Sequence, residues 1–243
     1  MKVGMAMVTA AGAVLWLALG AHTADCREMR VAGAPPQRVE LYTSEGCSSC
    51  PPADRWWSTA VDDDRLWLGF HVDYWDDLGW RDRYSDARYA DRQREISVRT
   101  HPQRIYTPEV ALEGREYRGW RAGVPAAGGA TGPVLTVELQ GERPRYRLKA
   151  QLDGADANVR LYAAITEDGL HQRVLAGENR GRLLQHDRVV RAYAGPVSAG
   201  GDLELQVPQD LVAERARLLV WAEGPNGSTV QGLQRALPLC TAR

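Results

Sequence analysis

Lysine is almost missing from this chain of 243 residues: Lys2 and Lys149 are the only two, and arginine carries nearly all of the positive charge. We interpret this shortage as a compositional bias of the genome. An excess of charge of either sign is missing too, because the formal net charge is −1. No strong field therefore points to nucleic acid or to an acidic surface. Internal repeats and low-complexity tracts are also absent, which excludes a repeat architecture.

Long apolar runs are missing except at the N-terminus, from Met5 to Leu19. This run has about 15 residues, whereas a membrane span needs ~20. Lys2 precedes it and small residues follow it, so the pattern predicts a secretory signal peptide over residues 1–24. An uncleaved signal anchor is the alternative, while Asp25 argues against a lipid anchor on the next residue. We expect a periplasmic or secreted protein with no stable membrane insertion after cleavage.

Cysteine is scarce, and all four cysteines lie beyond the expected cleavage site. Cys47 and Cys50 form a local pair, which leaves Cys26 and Cys240 near the two ends of the mature chain. Because domain termini are often close in space and export permits disulfides, we predict a structural Cys26–Cys240 disulfide. The alternative is two unpaired thiols in the terminal tails.

The Cys47–Cys50 pair follows a short apolar run that ends in a glycine, and two prolines suited to a helix start come after it. Strand, thiol pair and helix, in that order, are typical of a thioredoxin-like redox site. At a helix N-terminus, unpaired N–H groups and the helix dipole stabilise a thiolate. We therefore predict Cys47 as the nucleophile and Cys50 as the resolving thiol. Glu45 would oppose the thiolate if the two side chains approach.

Two other functions are compatible with the same cysteines. Cys47 and Cys50, with or without His71, offer thiolate and imidazole ligands for Cu(I). Alternatively, the pair is a structural disulfide in a non-catalytic interaction protein. A zinc site of two cysteine pairs is excluded, because the chain has no second pair. We expect no resident metal and no cofactor, and partners that are protein or small-molecule thiols and disulfides.

The hydrophobic pattern changes along the chain. The order strand-helix-strand-helix-strand-strand predicts an α/β thioredoxin-like domain over residues 36–122. A stretch rich in glycine, alanine and proline follows as a linker. Beyond it, apolar residues alternate with polar ones, as in Leu135, Val137 and Leu139. This period of two predicts a β-rich, sandwich-like domain over residues 133–240.

Two further segments are candidates for binding a partner. Thr107-Pro108 begins the third predicted strand, where thioredoxin-like proteins carry a cis proline against the thiol pair. Only X-Pro bonds adopt cis at low cost, although an ordinary trans proline is the alternative. Asp73, Tyr74 and Trp75 follow the second strand, so they are expected at the same sheet end as the thiols. A loop that only caps the core is the alternative for this segment.

These motifs resemble a family of secreted bacterial thioredoxin-like proteins, the domain of unknown function 1223. The similar segments are Thr43 to Asp54, His71 to Asp76, Leu78 to Trp80, Arg92-Gln93, Tyr106 to Val110, Gly177 to Gly181 and Val189 to Arg191. Glu109 stands where we associate the family with glutamine. The resemblance implies a thioredoxin-like domain joined to a β-rich domain and implies no substrate. Ser48-Ser49 replaces the Gly-Pro of ordinary thioredoxins, which leaves the direction of electron flow open.

Overall fold

The computed structural model describes residues 28–100 and 104–237. The strands are β1 (Glu28–Gly33), β2 (Arg38–Thr43), β3 (Leu66–His71), β4 (Glu109–Leu112), β5 (Arg115–Glu116), β6 (Gly132–Glu142), β7 (Arg145–Leu152), β8 (Arg160–Glu167), β9 (Leu170–Arg173), β10 (Leu183–His186), β11 (Val189–Ser198), β12 (Asp202–Gln206), β13 (Ala216–Glu223) and β14 (Thr229–Ala236). The helices are α1 (Pro51–Ala60) and α2 (Ala87–Thr100), with 3-10 helices at Arg118–Ala122 and Ala213–Arg215.

Strands from both halves of the chain form one eight-stranded mixed sheet, in the order β14-β13-β8-β11-β3-β2-β4-β5. The halves join where β3 and β11 run parallel, with Gly69 opposite Val189. The Gly69 N–H donates to the Arg188 carbonyl at 2.8 Å. A second sheet of four antiparallel strands has the order β1-β6-β7-β12, and β9 and β10 form a separate hairpin.

The two faces of the eight-stranded sheet are covered differently, because successive side chains of a strand point to opposite faces. Phe70 from β3 and Trp221 from β13 pack in one cluster with Tyr89 and Ile96 of α2. On the opposite face, α1 covers the first half, where Trp57 packs against β2, β3 and β4. The four-stranded sheet packs against β8, β11, β13 and β14 on the second half. The long sheet therefore fixes α1 and α2 on opposite sides.

The local elements of the first half follow the sequence prediction, with shifted ends. The second helix begins at Ala87, because the Asp82 carboxylate accepts the N–H groups of Glu45 and Tyr84 and holds the preceding segment in turns. The last strand of this half ends at Glu116. A 3-10 helix follows there, and it packs Trp120 on Trp56 with ring centroids 4.9 Å apart.

The predicted fold class, a thioredoxin-like α/β domain followed by an all-β sandwich-like domain, is wrong. Among the described residues, strands far outnumber the two α-helices. The central sheet draws its strands from both halves of the chain. A hydrophobic period identifies a strand but carries no information on its neighbour, so the β3–β11 pairing left no trace in the pattern. The boundaries 36–122 and 133–240 stay a prediction. The expected signal peptide, residues 1–24, lies outside the described residues.

Candidate functional site

Cys47 and Cys50 form a disulfide where β2 leads into α1, with their Cα atoms 5.4 Å apart. The connecting turn is closed by two main-chain hydrogen bonds, from Cys47 to Ser44 and from Cys50 to Cys47. Pro51 then begins α1, where the missing N–H costs nothing. The sequence prediction of a local cysteine pair is confirmed.

Both cysteines are fully buried at 0 % exposure, and Ser48 and Ser49 between them are exposed. The Ser49 hydroxyl lies 3.3 Å from the Cys47 sulfur and donates to the Thr107 carbonyl at 3.4 Å. The serines therefore lie between the disulfide and solvent. Exchange with a partner requires this turn to open.

Residues from the second half of the chain hold the thiol turn closed. The buried amide of Asn179 donates to the main-chain carbonyls of Glu45 and Cys47, at 2.8 Å and 2.9 Å. The Glu178 carboxylate accepts the Ser48 N–H at 3.2 Å. We call residues 177–181 the clamp segment. It restricts access to Cys47 and brings a negative charge to the start of α1.

The start of α1 offers fewer N–H donors to stabilise a Cys47 thiolate than the sequence suggested. Pro51 and Pro52 carry no N–H, and the Ser48 N–H is taken by Glu178. The N–H groups of Ala53 and Asp54 donate to the Cys50 carbonyl. The helix dipole is still aligned with the turn, but few free donors face Cys47.

The structure brings Thr107, Pro108 and Trp75 to the thiol turn. The Thr107-Pro108 peptide bond is cis, the isomer that the motif predicts. The Trp75 indole N–H donates to the Thr107 hydroxyl at 2.8 Å, and Trp75 lies close against Gly46, where an added Cβ would be 3.1 Å from it. These contacts put both predicted partner-binding segments beside the disulfide.

Tyr74 interacts with Thr107 and with α2, and Asp73 takes part in a turn of the same loop. The Tyr74 hydroxyl donates to Gln93 on α2 at 3.2 Å, and Gln93 in turn donates to Glu109 at 2.6 Å. Burial raises the pKa of Glu109 to about 7, against the opposing effect of Gln93. The Asp73 carbonyl accepts the Asp76 N–H in a turn. Both residues are half-buried and support the loop that carries Trp75.

Five acid and histidine side chains are buried behind the thiol turn, and the sequence did not indicate them as a group. They are Glu45, Asp54, His71, Asp82 and His186. His71 Nδ1 lies 2.6 Å from an Asp82 oxygen, and the His71 and His186 rings are 4.8 Å apart in a T-shaped contact. The Glu45 carboxylate accepts the Trp80 indole N–H at 2.8 Å and lies 3.4 Å from His186.

The charges in this cluster are set by burial and by mutual contacts. Burial raises the pKa of Asp54 above its ordinary value, although His186 opposes the shift. Burial works against the imidazolium of His71, but Asp82 outweighs it and raises the pKa of His71. Burial also acts to raise the pKa of Asp82, and His71 reverses this effect and lowers it. The site therefore combines the hydrogen-bonded pair of His71 and Asp82 with Asp54, whose pKa lies above its ordinary value.

Of the five buried acid and histidine side chains, Asp54 has a position near the thiols that the sequence itself indicates. Asp54 follows Cys50 by one helical turn, so the two side chains share a face of α1. His186 and Asn179 come from or beside the β9–β10 hairpin, 132 or more residues after Cys47. Only the tertiary fold brings them together.

Several predicted features find no support in the structure or lie outside it. Cys26 and Cys240 fall outside the described residues. The proposed copper ligand His71 is held by Asp82, and the described part of the chain contains no group of three or more metal-ligating side chains suited to a metal. Within residues 28–100 and 104–237, no helix is both long enough and apolar enough to span a membrane.

Comparison with known proteins establishes the family. The family model described as "Protein of unknown function (DUF1223)" matches residues 38–222, so the chain belongs to this family, and the predicted membership of domain of unknown function 1223 is confirmed. No curated protein matches the chain. Its fold is similar to the crystal structure of protein AGR_C_4864 from Agrobacterium tumefaciens, with a TM-score of 0.54 and 21 % identity. The alignment covers 86 % of this chain and 98 % of that one, and at this identity the likeness shows the fold alone.

Proposed function

We propose that this protein is an exported thiol–disulfide oxidoreductase that exchanges with protein or small-molecule thiols and disulfides. The observation that carries the proposal is the Cys47–Cys50 disulfide at the start of α1, backed by buried acid and histidine side chains. A thiol pair needs groups that supply and remove protons during exchange, and a purely structural disulfide has no use for them.

In the proposed cycle, the Cys47 thiolate attacks a partner disulfide and displaces one partner sulfur as a thiolate. The Cys50 thiolate then attacks the Cys47 sulfur of the mixed disulfide and releases the second partner sulfur. Two electrons pass from the protein dithiol to the partner, and the intramolecular disulfide forms again. Thr107, Pro108 and Trp75 border the turn at which this exchange takes place.

The surroundings of Cys47 favour a reductant over a strong oxidant. Strong oxidants of this chemistry have a highly stabilised Cys thiolate in the reduced state. Here the two prolines remove N–H donors, and Glu178 brings a negative charge to the turn. We therefore propose a reduction potential closer to about −270 mV than to about −120 mV, the values of thioredoxin and DsbA.

A structural disulfide is the second candidate, and the 0 % exposure of both cysteines favours it. On the loop-entropy model, a ring this small contributes roughly 2 kcal/mol. In that case, a variant with Cys47→Ser and Cys50→Ser loses about this much stability and keeps its binding properties. Cu(I) binding has no comparable observation in its favour.

Equilibration of the protein in graded dithiothreitol buffers, with alkylation and mass spectrometry, measures the potential directly. In parallel, a Cys50→Ala variant incubated with periplasmic extract is expected to accumulate mixed disulfides through Cys47. The Cys47→Ala variant is the matched control and should trap few partners. A disulfide that resists reduction in the folded protein, together with an empty trap, would contradict the oxidoreductase proposal and favour the structural disulfide.

A further inference from the structure

We infer that Asp54 is the proton donor for the Cys50 thiolate released when the Cys47–Cys50 bond opens, and the proton acceptor when it closes. This inference rests on the proposed oxidoreductase function and assigns a residue to its proton transfer. Three observations carry it: the burial of Cys50, the position of Asp54 on α1, and an unpartnered Asp54 oxygen.

The first observation is the burial of Cys50, which is 0 % exposed. When a partner thiolate attacks Cys47, the electron pair of the breaking S–S bond goes to the Cys50 sulfur. A buried anion without a compensating partner is costly. Because Cys50 is surrounded by protein, a neighbouring buried group can supply its proton directly.

The second observation is the position of Asp54 on α1. Cys50 has helical backbone angles at the helix start, and the Asp54 N–H donates to its carbonyl at 3.1 Å. Side chains four residues apart lie on one face of a helix, with Cβ atoms about 5–6 Å from each other. Asp54 is thus the carboxyl group that α1 itself brings to Cys50.

The third observation is the hydrogen bonding of Asp54, which is only 5 % exposed. The Thr43 hydroxyl donates to Oδ1 at 2.7 Å, while Oδ2 has no hydrogen-bond partner among the described residues. Burial raises the pKa of Asp54, so its protonated form persists to higher pH than in an exposed aspartate. This oxygen can therefore carry a proton without breaking another hydrogen bond.

Asp54 also borders a cavity of about 10 Å³, roughly the space that one water molecule needs. The titratable groups that face Asp54 or share this cavity come from two strands and two connecting segments: His71 on β3, Asp82 before α2, His186 on β10, and Asp187 directly after it. Glu45, from the thiol turn, approaches His186. The two histidines lower the energy of the Asp54 carboxylate after it has given up its proton.

The step balances as follows. A partner thiolate forms a bond to the Cys47 sulfur, the Cys47–Cys50 bond breaks, and the proton moves from Asp54 to the Cys50 sulfur. The partner thiol is oxidised to the mixed disulfide and Cys50 is reduced to a thiol. In the opposite direction, the Asp54 carboxylate takes the Cys50 proton and frees the thiolate to attack.

The test is the pH dependence of disulfide reduction by dithiothreitol, with each rate divided by the thiolate fraction of the reagent. For the unchanged protein, the normalised rate should fall as pH rises through the Asp54 titration, because the donor loses its proton. Asp54→Asn should lose this inflection and react at least about tenfold more slowly at low pH, since general acid catalysis contributes ~10²–10⁴-fold. Asp77→Asn, which removes an exposed carboxylate from the nearby loop, is the matched control and should behave as the unchanged protein.

An Asp54→Asn variant with the unchanged rate and profile would overturn the inference and leave the oxidoreductase proposal intact. If the unchanged protein is not reduced at all, both fall. An NMR titration of the Asp54 carboxyl in the unchanged protein does not depend on the variant folding. Its midpoint should lie above that of an exposed aspartate and should change when the disulfide is reduced. An ordinary midpoint in both redox states contradicts the assignment.

Discussion

The Asn179 side-chain amide donates a hydrogen bond of 2.9 Å to the main-chain carbonyl of Cys47, although 132 residues separate the two. The same amide group donates to the Glu45 carbonyl at 2.8 Å. One fully buried side chain from the second half of the chain thus holds the turn that carries the disulfide. The position of the clamp segment and the accessibility of Cys47 are therefore linked.

Removing the Asn179 side chain from the clamp segment should make the disulfide more accessible to reductant. Asn179→Ala leaves two buried carbonyls without their donor, at a cost of about 1–3 kcal/mol. Most of that cost falls on the closed turn, so reduction by dithiothreitol should become about tenfold faster or more. Asn158→Ala, at an exposed position, is the control. An Asn179→Ala rate equal to that of the unchanged protein would show that the clamp does not limit access.

Glu109→Gln should stabilise the protein at neutral and alkaline pH. Burial raises the pKa of Glu109 to about 7 from an ordinary 4.5. The folded state therefore binds a proton that the unfolded state has released, and stability falls as pH rises from 4.5 through 7. Glutamine keeps an acceptor for Gln93 without the charge, so the gain should approach about 3 kcal/mol above pH 7.

Urea denaturation of both proteins at pH 5 and pH 8 measures this difference. The variant should gain little at pH 5 and most at pH 8. A stability difference that does not change with pH would contradict a raised pKa for Glu109.

Gly69→Ala should weaken the junction between the halves of the central sheet. An added Cβ would lie 3.1 Å from the Arg188 carbonyl oxygen, which accepts the Gly69 N–H. Crowding of this kind costs about 1–3 kcal/mol. Gly128→Ala has open space around the new methyl group and should change little. Thermal unfolding compares the two, and equal midpoints would contradict the importance of this junction.

Arg92→Met should destabilise the core strongly. Arg92 pairs with Glu40 at 2.7 Å and with Glu223, and all three are buried. Removing one partner of a buried ion network costs ~3–5 kcal/mol, because Glu40 and Glu223 would keep only Arg38 as their counter-charge. Arg94→Met, in an exposed pair with Asp91, should cost at most about 1 kcal/mol.

The stability that Arg92→Met loses should depend on pH in a defined direction. Burial acts to raise the pKa of Glu40, but Arg92 and Arg38 outweigh it and lower the pKa to about 2. The stability from this pairing is present above pH 4.5 and is lost as pH falls toward 2. The gap between Arg92→Met and the unchanged protein should therefore narrow over that range in urea denaturation. A constant gap would contradict the electrostatic origin.

The elements nearest the thiols were predictable because their signals are local. β2 is the strand predicted directly before the thiol pair, and the prolines after Cys50 mark the start of α1. The alternation in Leu135, Val137 and Leu139 predicts β6, and all three side chains are buried in the core. The fold class was wrong because the apolar run that predicts the strand β3 is the same whether or not that strand pairs with β11.

The sequence by itself determined the cysteine pair, the strand before it, the helix after it and the family, since each depends on residues close along the chain. Only the tertiary structure decided that Asn179 and Glu178 cover the disulfide and that His71, Asp82 and His186 lie behind it. The reason is physical: these contacts depend on which strands pair across the β3–β11 junction and on which turns close over one another. Neither leaves a periodic signal in a single sequence.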